Sequence, residues 1–391
     1  MTMKRRKILF VISSLGRGGA ELHCLRVAPM LNPEHYDIAV FLFRMRGAAF
    51  EEMPRHVKVF APWYEMEVEN PGLASRLVRM LVSTFQFTVC LLKERPDIVH
   101  FFLPSSYLHG GTVALLLGRR NLVMSRRSLN YYMKHRPAWV NRLELFLHGR
   151  MKALSGNSNA VIRQLIEEEH APTDRTQLIY NGVALPELST QIREAARVAL
   201  DVSEGEIVMI VVANLFPYKG HADLFEACAQ LPLNQPWRLI VLGRDASGIM
   251  PALAATADRL GIADKVHMVG GQADVGRYLA AADIGILPSH EEGFSNAILE
   301  SMAFGLPMVV TDVGGNAEAV LNQETGLVVP AKSPAQLGIA IRRLIEDPEA
   351  RRMMGAAGRQ RVERHFSLRR CVEDYDGMYQ NILSSRPLGN A

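Results

Sequence analysis

Only four cysteines occur among 391 residues, Cys24, Cys90, Cys228 and Cys371, and no two are spaced as a pair. That excludes a cysteine-built zinc site or a disulfide framework, suits a reducing compartment and predicts four buried structural thiols. Long apolar runs are missing too. None reaches the roughly 18 residues of a membrane span, and the longest, Thr84 to Leu92 and Ile207 to Phe216, have the length of core elements. The basic start, Met1 to Lys7, is followed only by the short apolar run Ile8 to Ile12. That run is too short for a secretory signal and reads as a first strand, so the cytoplasm is the expected location. There is no low-complexity tract or internal sequence repeat, and no helix-turn-helix, RNA-binding or zinc pattern, which argues against nucleic acid as a partner.

A hydrophobic content of 48% and a mean hydropathy of +0.04 describe a globular chain long enough for about two domains, each with its own core. Charge is spread unevenly. Residues 1–182 hold 25 Lys and Arg against 15 Asp and Glu, whereas the remainder holds 19 against 25. A basic first half suits an anionic partner (a lipid surface, an acidic acceptor or nucleic acid) or is a solvated surface with no partner.

Short continuous apolar runs alternate with helical patterns throughout. Lys7–Ser13, Ile38–Phe43, Val57–Phe60, Ile98–Phe101 and Leu122–Ser125 read as strands in the first half. Ile207–Ala213, Arg238–Leu242, Lys265–Met268, Ile284–Leu287, Met308–Thr311 and Gly326–Val329 do so in the second. Such runs, separated by helices, predict an α/β protein with parallel sheets covered on both faces. The break falls near Asn181-Gly182, giving two Rossmann-like domains with a cleft between them. The first is 1–182 together with a last helix within about 366–391, and the second is 183–365.

Three constellations carry chemistry. Ser13-Ser14-Leu15-Gly16-Arg17-Gly18-Gly19-Ala20-Glu21 follows the first strand and lets backbone approach a ligand ahead of a helix N-terminus, although its spacing is not that of a dinucleotide fingerprint. Lys219, in Phe216-Pro217-Tyr218-Lys219-Gly220-His221, lies after the first strand of the second half and is placed to meet a phosphate as a point charge. Ser289-His290-Glu291-Glu292-Gly293-Phe294-Ser295-Asn296-Ala297-Ile298-Leu299-Glu300 sets two carboxylates eight positions apart, one in the loop after a strand and one within the first turns of a helix. A carboxylate accepts hydrogen bonds from neighbouring hydroxyls, as sugar recognition requires.

Together with Asp97-Ile98-Val99-His100, Asn157-Ser158, Tyr180-Asn181-Gly182-Val183 and Gly314-Gly315-Asn316-Ala317-Glu318, these stretches resemble the retaining glycosyltransferases of family 4 (group 1) over nearly the whole chain. The resemblance implies the GT-B fold, two Rossmann-like domains facing a central cleft with the last helix crossing back to the first domain. It also implies transfer of a sugar from a nucleoside diphosphate sugar, UDP- or GDP-linked, to a glycan or lipid-linked acceptor, as in cell-surface polysaccharide or lipopolysaccharide synthesis. By that resemblance Glu300 binds the ribose and Glu292 the donor sugar, and Lys219 meets the diphosphate. Backbone around Phe294, Ser295, Asn296, Ala297 and Ile298 completes the cradle, with Gly18 and Gly19 closing over it and Gly243 and Arg244 near the base. Retention implies attack on the face from which the diphosphate leaves, the leaving phosphate taking the acceptor's proton. No metal or cofactor is implied, and Asp374-Tyr375-Asp376 lies on the expected last helix rather than after a strand.

Two departures stand out. Asn214 replaces the family's usual Arg, removing one charge partner of the diphosphate, and Ser125-Arg126-Arg127-Ser128 stands where many members place a His. Either Arg126 or Arg127 takes over contact with the donor or an anionic acceptor, or both are surface charges. His100 and His109 are expected in the core or behind the site. The basic and aromatic run from Arg126 to Trp139 suits an anionic membrane surface or a lipid-phosphate acceptor, and equally a mobile loop for a soluble sugar. A sugar-nucleotide epimerase of the same fold and a basic membrane-binding module are the competing readings.

Overall fold

The computed structural model describes residues 5–16, 18–44, 47, 49–63, 72–232 and 235–384. Arg17 of the glycine loop and Met1 to Lys4 of the basic start lie outside them. The chain divides into two compact units, one of residues 1–182 and 368–391 and one of 183–367.

The first unit is a seven-stranded parallel sheet of β1 (Arg6–Ile12), β2 (Tyr36–Leu42), β3 (Lys58–Phe60), β4 (Ile98–Phe102), β5 (Leu122–Arg126), β6 (Ala153–Gly156) and β7 (Thr176–Leu178), in the order β3-β2-β1-β4-β5-β6-β7. Its helices are α1 (Gly19–Val27), α2 (Leu73–Glu94), α3 (Pro104–Leu116), α4 (Ala138–His148) and α5 (Asn159–Glu167). Alternate residues of β1 feed two cores. Ile8, Phe10 and Ile12 pack with Cys24 and Val27 of α1, while Leu9 and Val11 pack with Phe87 and Leu91 of α2 and Tyr107 of α3. Burial on both faces explains why this strand reads as a continuous apolar run.

The second unit is a six-stranded parallel sheet of β8 (Ile207–Val212), β9 (Trp237–Leu242), β10 (Val266–Gly270), β11 (Ile284–Leu287), β12 (Met308–Thr311) and β13 (Gly326–Val329), in the order β10-β9-β8-β11-β12-β13. It is covered by α6 (Thr190–Ala199), α7 (His221–Cys228), α8 (Met250–Arg259), α9 (Val275–Ala281), α10 (Asn296–Ala303), α11 (Asn316–Ala319), α12 (Pro334–Glu346) and α13 (Pro348–His365). The same alternation holds: Met209 and Val211 face α7 and α12, and Val208 and Ile210 face α9. In each sheet the order reverses beside the first strand, between β1 and β4 and between β8 and β11. Those are the points where open α/β sheets leave a crevice at the carboxyl ends of their strands.

The last helix, α14 (Leu368–Ser384), belongs to the first unit. Cys371, Tyr375, Met378, Tyr379 and Ile382 are buried in the core with α1 and β1. Tyr379 Oη bonds His100 Nδ1 at 2.7 Å, and His100 Nε2 meets Ser125 Oγ at 2.7 Å, so this histidine is a satisfied core residue. Tyr36 Oη donates to Asp376 at 2.5 Å, which gives the Asp-Tyr-Asp run a packing role. All four cysteines are buried thiols, pushed up to about 12 by burial.

One expectation needs correction. Among the described residues α2 is long and apolar enough, over Ala74–Glu94, to cross a membrane by length and composition. Its serine, threonine and glutamine interrupt the run and hide it from a search for unbroken apolar stretches. Phe87, Cys90 and Leu91 are buried, whereas Leu77, Leu81, Phe85 and Leu92 are exposed.

The α14 contacts set a stability test. Tyr379→Ala removes a fully buried ring and is expected to cost about 3–5 kcal/mol in chemical denaturation. Tyr379→Phe, which only orphans His100 Nδ1, should cost about 1–3 kcal/mol. Equal losses for the two variants would show that the hydrogen bond, not the packing, seats the helix.

Candidate active site

In the second unit the loops after β8 and β11 flank the sheet's switch point, and the sequence puts Lys219 on one and Glu292 on the other. The structure joins them: Lys219 Nζ lies 2.5 Å from Glu292 Oε1, with only 17% and 10% of the two side chains exposed. Ser289 Oγ donates to the same carboxylate oxygen at 3.0 Å. Two close approaches of backbone set this geometry. Gly220 has a φ of +72°, and a Cβ there would fall 2.0 Å from the Pro288 carbonyl oxygen. Gly314 has a φ of +52°, and a Cβ there would fall 1.7 Å from the Glu292 carbonyl oxygen. Only glycine tolerates both conditions at no cost.

Further bonds tie the loops together. His290 N–H donates to the Tyr218 carbonyl at 2.7 Å, and His290 Nε2 meets Asp223 Oδ2 at 2.8 Å. Gly315 N–H donates to Gly293 O at 2.9 Å, and Thr311 Oγ1 to Ser289 O at 2.5 Å. His221, buried at the start of α7, is held at about 4 by burial, with the Ala213 backbone opposing and the Lys219 charge adding to the shift. It therefore stays neutral beside the lysine at neutral pH.

Helix α10 begins at Asn296 with Ser295 as its N-cap, and no side chain caps it. Asn296 and Ala297 are half-buried at its start, Ile298 is fully buried, and Glu300 sits half-buried one turn on. Phe294, expected at the ligand, is buried and packs on Phe366 at 5.4 Å between ring centroids, so its ring is a prop beneath the loop. Asn214, expected at a diphosphate, turns its Oδ1 to the Arg244 N–H at 3.0 Å and ties the loops after β8 and β9 together. Gly243 directly follows β9, donating its N–H to Gly270 O at 3.0 Å, and Arg244 beside it is exposed.

In the first unit Gly18 is the N-cap of α1 and Gly19 its first residue, at the carboxyl edge of β1. Ser13 Oγ meets Ser105 Oγ at 2.8 Å across the switch point between β1 and β4. The neighbouring arginines at the end of β5 part company. Arg126 is 2% exposed, and its guanidinium bonds Glu169 at 2.7 and 3.0 Å and Glu144 at 2.8 Å. Tyr132 and Arg136 also bond Glu144, and His148 bonds Glu169. Glu144, His148 and Glu169 have donor atoms close enough for a metal ion, but the Arg126 guanidinium already bonds both carboxylates, with Arg136 as a second cation on Glu144. The expectation that Arg126 contacts donor or acceptor is thus corrected: its charge is spent inside the unit, and burial leaves it out of reach. Arg127 is half-buried and bonds Tyr375 Oη and Asn181 Oδ1. His109 stacks on Phe43 and bonds Thr84, away from this edge.

Sequence reasoning missed Ser289 and Thr311 as supports of Glu292, though both lie beside the quoted motifs. It also missed Glu144 and Glu169, whose pairing with Arg126 leaves no local sequence signal.

Comparison with known proteins places the chain among glycosyltransferases. Residues 192–361 match the family described as Glycosyl transferases group 1, and residues 17–186 match Glycosyltransferase Family 4. A D-inositol 3-phosphate glycosyltransferase of Thermobispora bispora is 30% identical over 403 aligned positions, covering 95% of this chain and 92% of that one. The protein of the same description from Segniliparus rotundus is 34% identical over 207 positions, 52% of this chain and 46% of its own length. Several such relatives are matched over about half their length. The crystal structure of Anabaena HepE in complex with UDP-glucose superposes with a TM-score of 0.82 at 23% identity, covering 96% of this chain and 99% of that one. The fold is therefore GT-B, two Rossmann-like units.

The Arg126 network sets a second stability test. Arg126→Met removes the cation shared by two buried carboxylates, leaving Glu144 to Tyr132 and Arg136 and Glu169 to His148, and is expected to destabilise the protein by about 3–5 kcal/mol in equilibrium unfolding. A loss under about 1 kcal/mol would mean the carboxylates protonate or find other partners.

Proposed function

Since the chain belongs to the group 1 glycosyltransferases of family 4, we propose that its second unit holds a nucleoside diphosphate sugar and that it transfers the sugar, with retention, to a glycan or lipid-linked acceptor. The Lys219–Glu292 pair at the switch point carries this reading. Departure of a nucleoside diphosphate builds negative charge on phosphate oxygens, and Lys219 with the N-terminus of α10 supplies a cation and oriented N–H groups to stabilise it. Glu292, propped by Ser289, and Glu300 on α10 are acceptor-only groups suited to the hydroxyls of the donor hexose and the ribose. No metal or other cofactor is given a role, because the charge that develops is met by protein groups.

The acceptor side rests on the first unit. Exposed Trp139 and Phe146 of α4, exposed Arg142 and Arg150, and the Lys134–Tyr131 cation–π pair at 4.9 Å form a basic, aromatic surface. With the exposed apolar residues of α2, that composition supports a cytoplasmic enzyme working peripherally on an anionic membrane, in the synthesis of cell-surface polysaccharide or lipopolysaccharide.

Incubation with a panel of UDP- and GDP-sugars tests the donor reading. Free UDP or GDP should form in the presence of acceptor, and an epimerised nucleotide sugar without transfer would overturn it. Glu300→Ala should raise the donor dissociation constant about 10- to 100-fold, while Glu292→Ala should lower kcat as well. Wild-type affinity and rate in both variants would remove the assignment. In co-sedimentation at low salt the protein should prefer anionic over neutral vesicles, and equal binding to both would count against the membrane reading.

A further inference from the structure

Of the two adjacent arginines, one has no counter-charge among the described residues. Among the described residues the guanidinium of Arg127 bonds only neutral oxygens: Tyr375 Oη at 3.4 Å from Nη1, and Asn181 Oδ1 from Nη2. Among the described residues it forms no ion pair with a carboxylate, whereas Arg126 next to it pairs with two. A guanidinium has five N–H donors in a planar fork, so two bonds leave three unused. The environment is one that penalises charge: burial lowers the Arg127 pKa, and the thiols of Cys24 and Cys371 near it are raised to about 12. His23 and His100, which feel its charge, are held well below their usual value, burial being the main cause.

Its position is as informative as its partners. Arg127 directly follows β5, at the carboxyl edge of the first unit's sheet. The segments that follow β6 and β7 converge on it, Asn157 Nδ2 reaching its backbone oxygen at 3.5 Å and Asn181 its guanidinium. Tyr375 of α14 braces it from a third direction. As a residue it is half-buried, whereas Arg126 is sealed in. A desolvated charge without a counter-ion costs stability, and pairing it with an anion recovers that cost. Arginine's planar fork fits the two oxygens of a phosphate or carboxylate.

We propose that Arg127 is the residue of the first unit that binds an oxyanion, a phosphate or a carboxylate, carried by the acceptor. The proposal rests on the donor occupying the second unit, and its test is arranged to be independent of that. Inorganic phosphate and malonate are titrated calorimetrically into the full-length Lys219→Met variant, in which the proposed diphosphate contact is disabled, and into Lys219→Met combined with Arg127→Met or Arg127→Lys. Binding should persist in the single variant, weaken about 10- to 100-fold with Arg127→Met and fall less with Arg127→Lys, which keeps the charge but loses the fork. A preference for phosphate over malonate, or the reverse, identifies which oxyanion the acceptor bears. Failure of the single variant to bind either anion, or unchanged binding on replacing Arg127, overturns the proposal. A structural role is separated by thermal unfolding: Arg127→Met alone should melt at or above the wild-type temperature, since it removes an uncompensated charge. A midpoint lowered as far as that of Arg126→Met would make Arg127 a structural residue instead. Titration of UDP and GDP into the wild-type protein tests the donor reading separately.

Discussion

The ion pair between Lys219 and Glu292 is the constraint around which the loops at the second unit's switch point are organised. Two loops that leave adjacent strands of a parallel sheet on either side of its switch point diverge unless something draws them together. Here a charged bond does so, helped by Ser289 and by backbone contacts so close that Gly220 and Gly314 admit no side chain. A half-buried ion pair is a poor device for stability alone, because desolvating both groups offsets much of their attraction. As a preorganised cation and hydrogen-bond acceptor, each fixed by the other, it is well suited to a ligand that brings both phosphate charge and hydroxyls.

The first unit shows the complementary use of charge. Arg126 is fully compensated, and with Glu144, Glu169, Tyr132 and Arg136 it fastens the segment Asn130–His135 to α4 and to the chain after α5. Arg127, one residue on, is held by a phenol and an amide. The period of a β-strand explains how neighbours reach such different surroundings: successive side chains leave opposite faces of the sheet. Helix α14 completes the arrangement, for its Tyr375 braces Arg127 and its Tyr379 satisfies His100.

Much of the architecture was legible because parallel strands buried on both faces are written as short apolar blocks. All six strands of the second unit fall within a residue or two of the runs that predict them. Strands β6 and β7 were not legible. Ala153-Leu154-Ser155-Gly156 is short, small and partly polar, and merges with the helical pattern before it, while Thr176-Gln177-Leu178 is a polar edge strand. Helix α6 was not read either, and the partner its Arg193 and Arg197 clasp, Asp283, is distant in sequence. In the site, Lys219 and Glu292 could be found because each follows a readable strand. The roles of Arg126, Arg127, Asn214 and Phe294 could not, since partners distant in sequence decide them: Glu169, Tyr375, Arg244 and Phe366.

The most direct test of this account is the structure of the protein with a nucleoside diphosphate bound, read at the Lys219 ammonium. The account predicts that Lys219 exchanges Glu292 for a diphosphate oxygen, that the nucleotide lies at the β8–β11 switch point, and that Glu300 receives the ribose hydroxyls. A nucleotide bound elsewhere with the Lys219–Glu292 pair intact would contradict it.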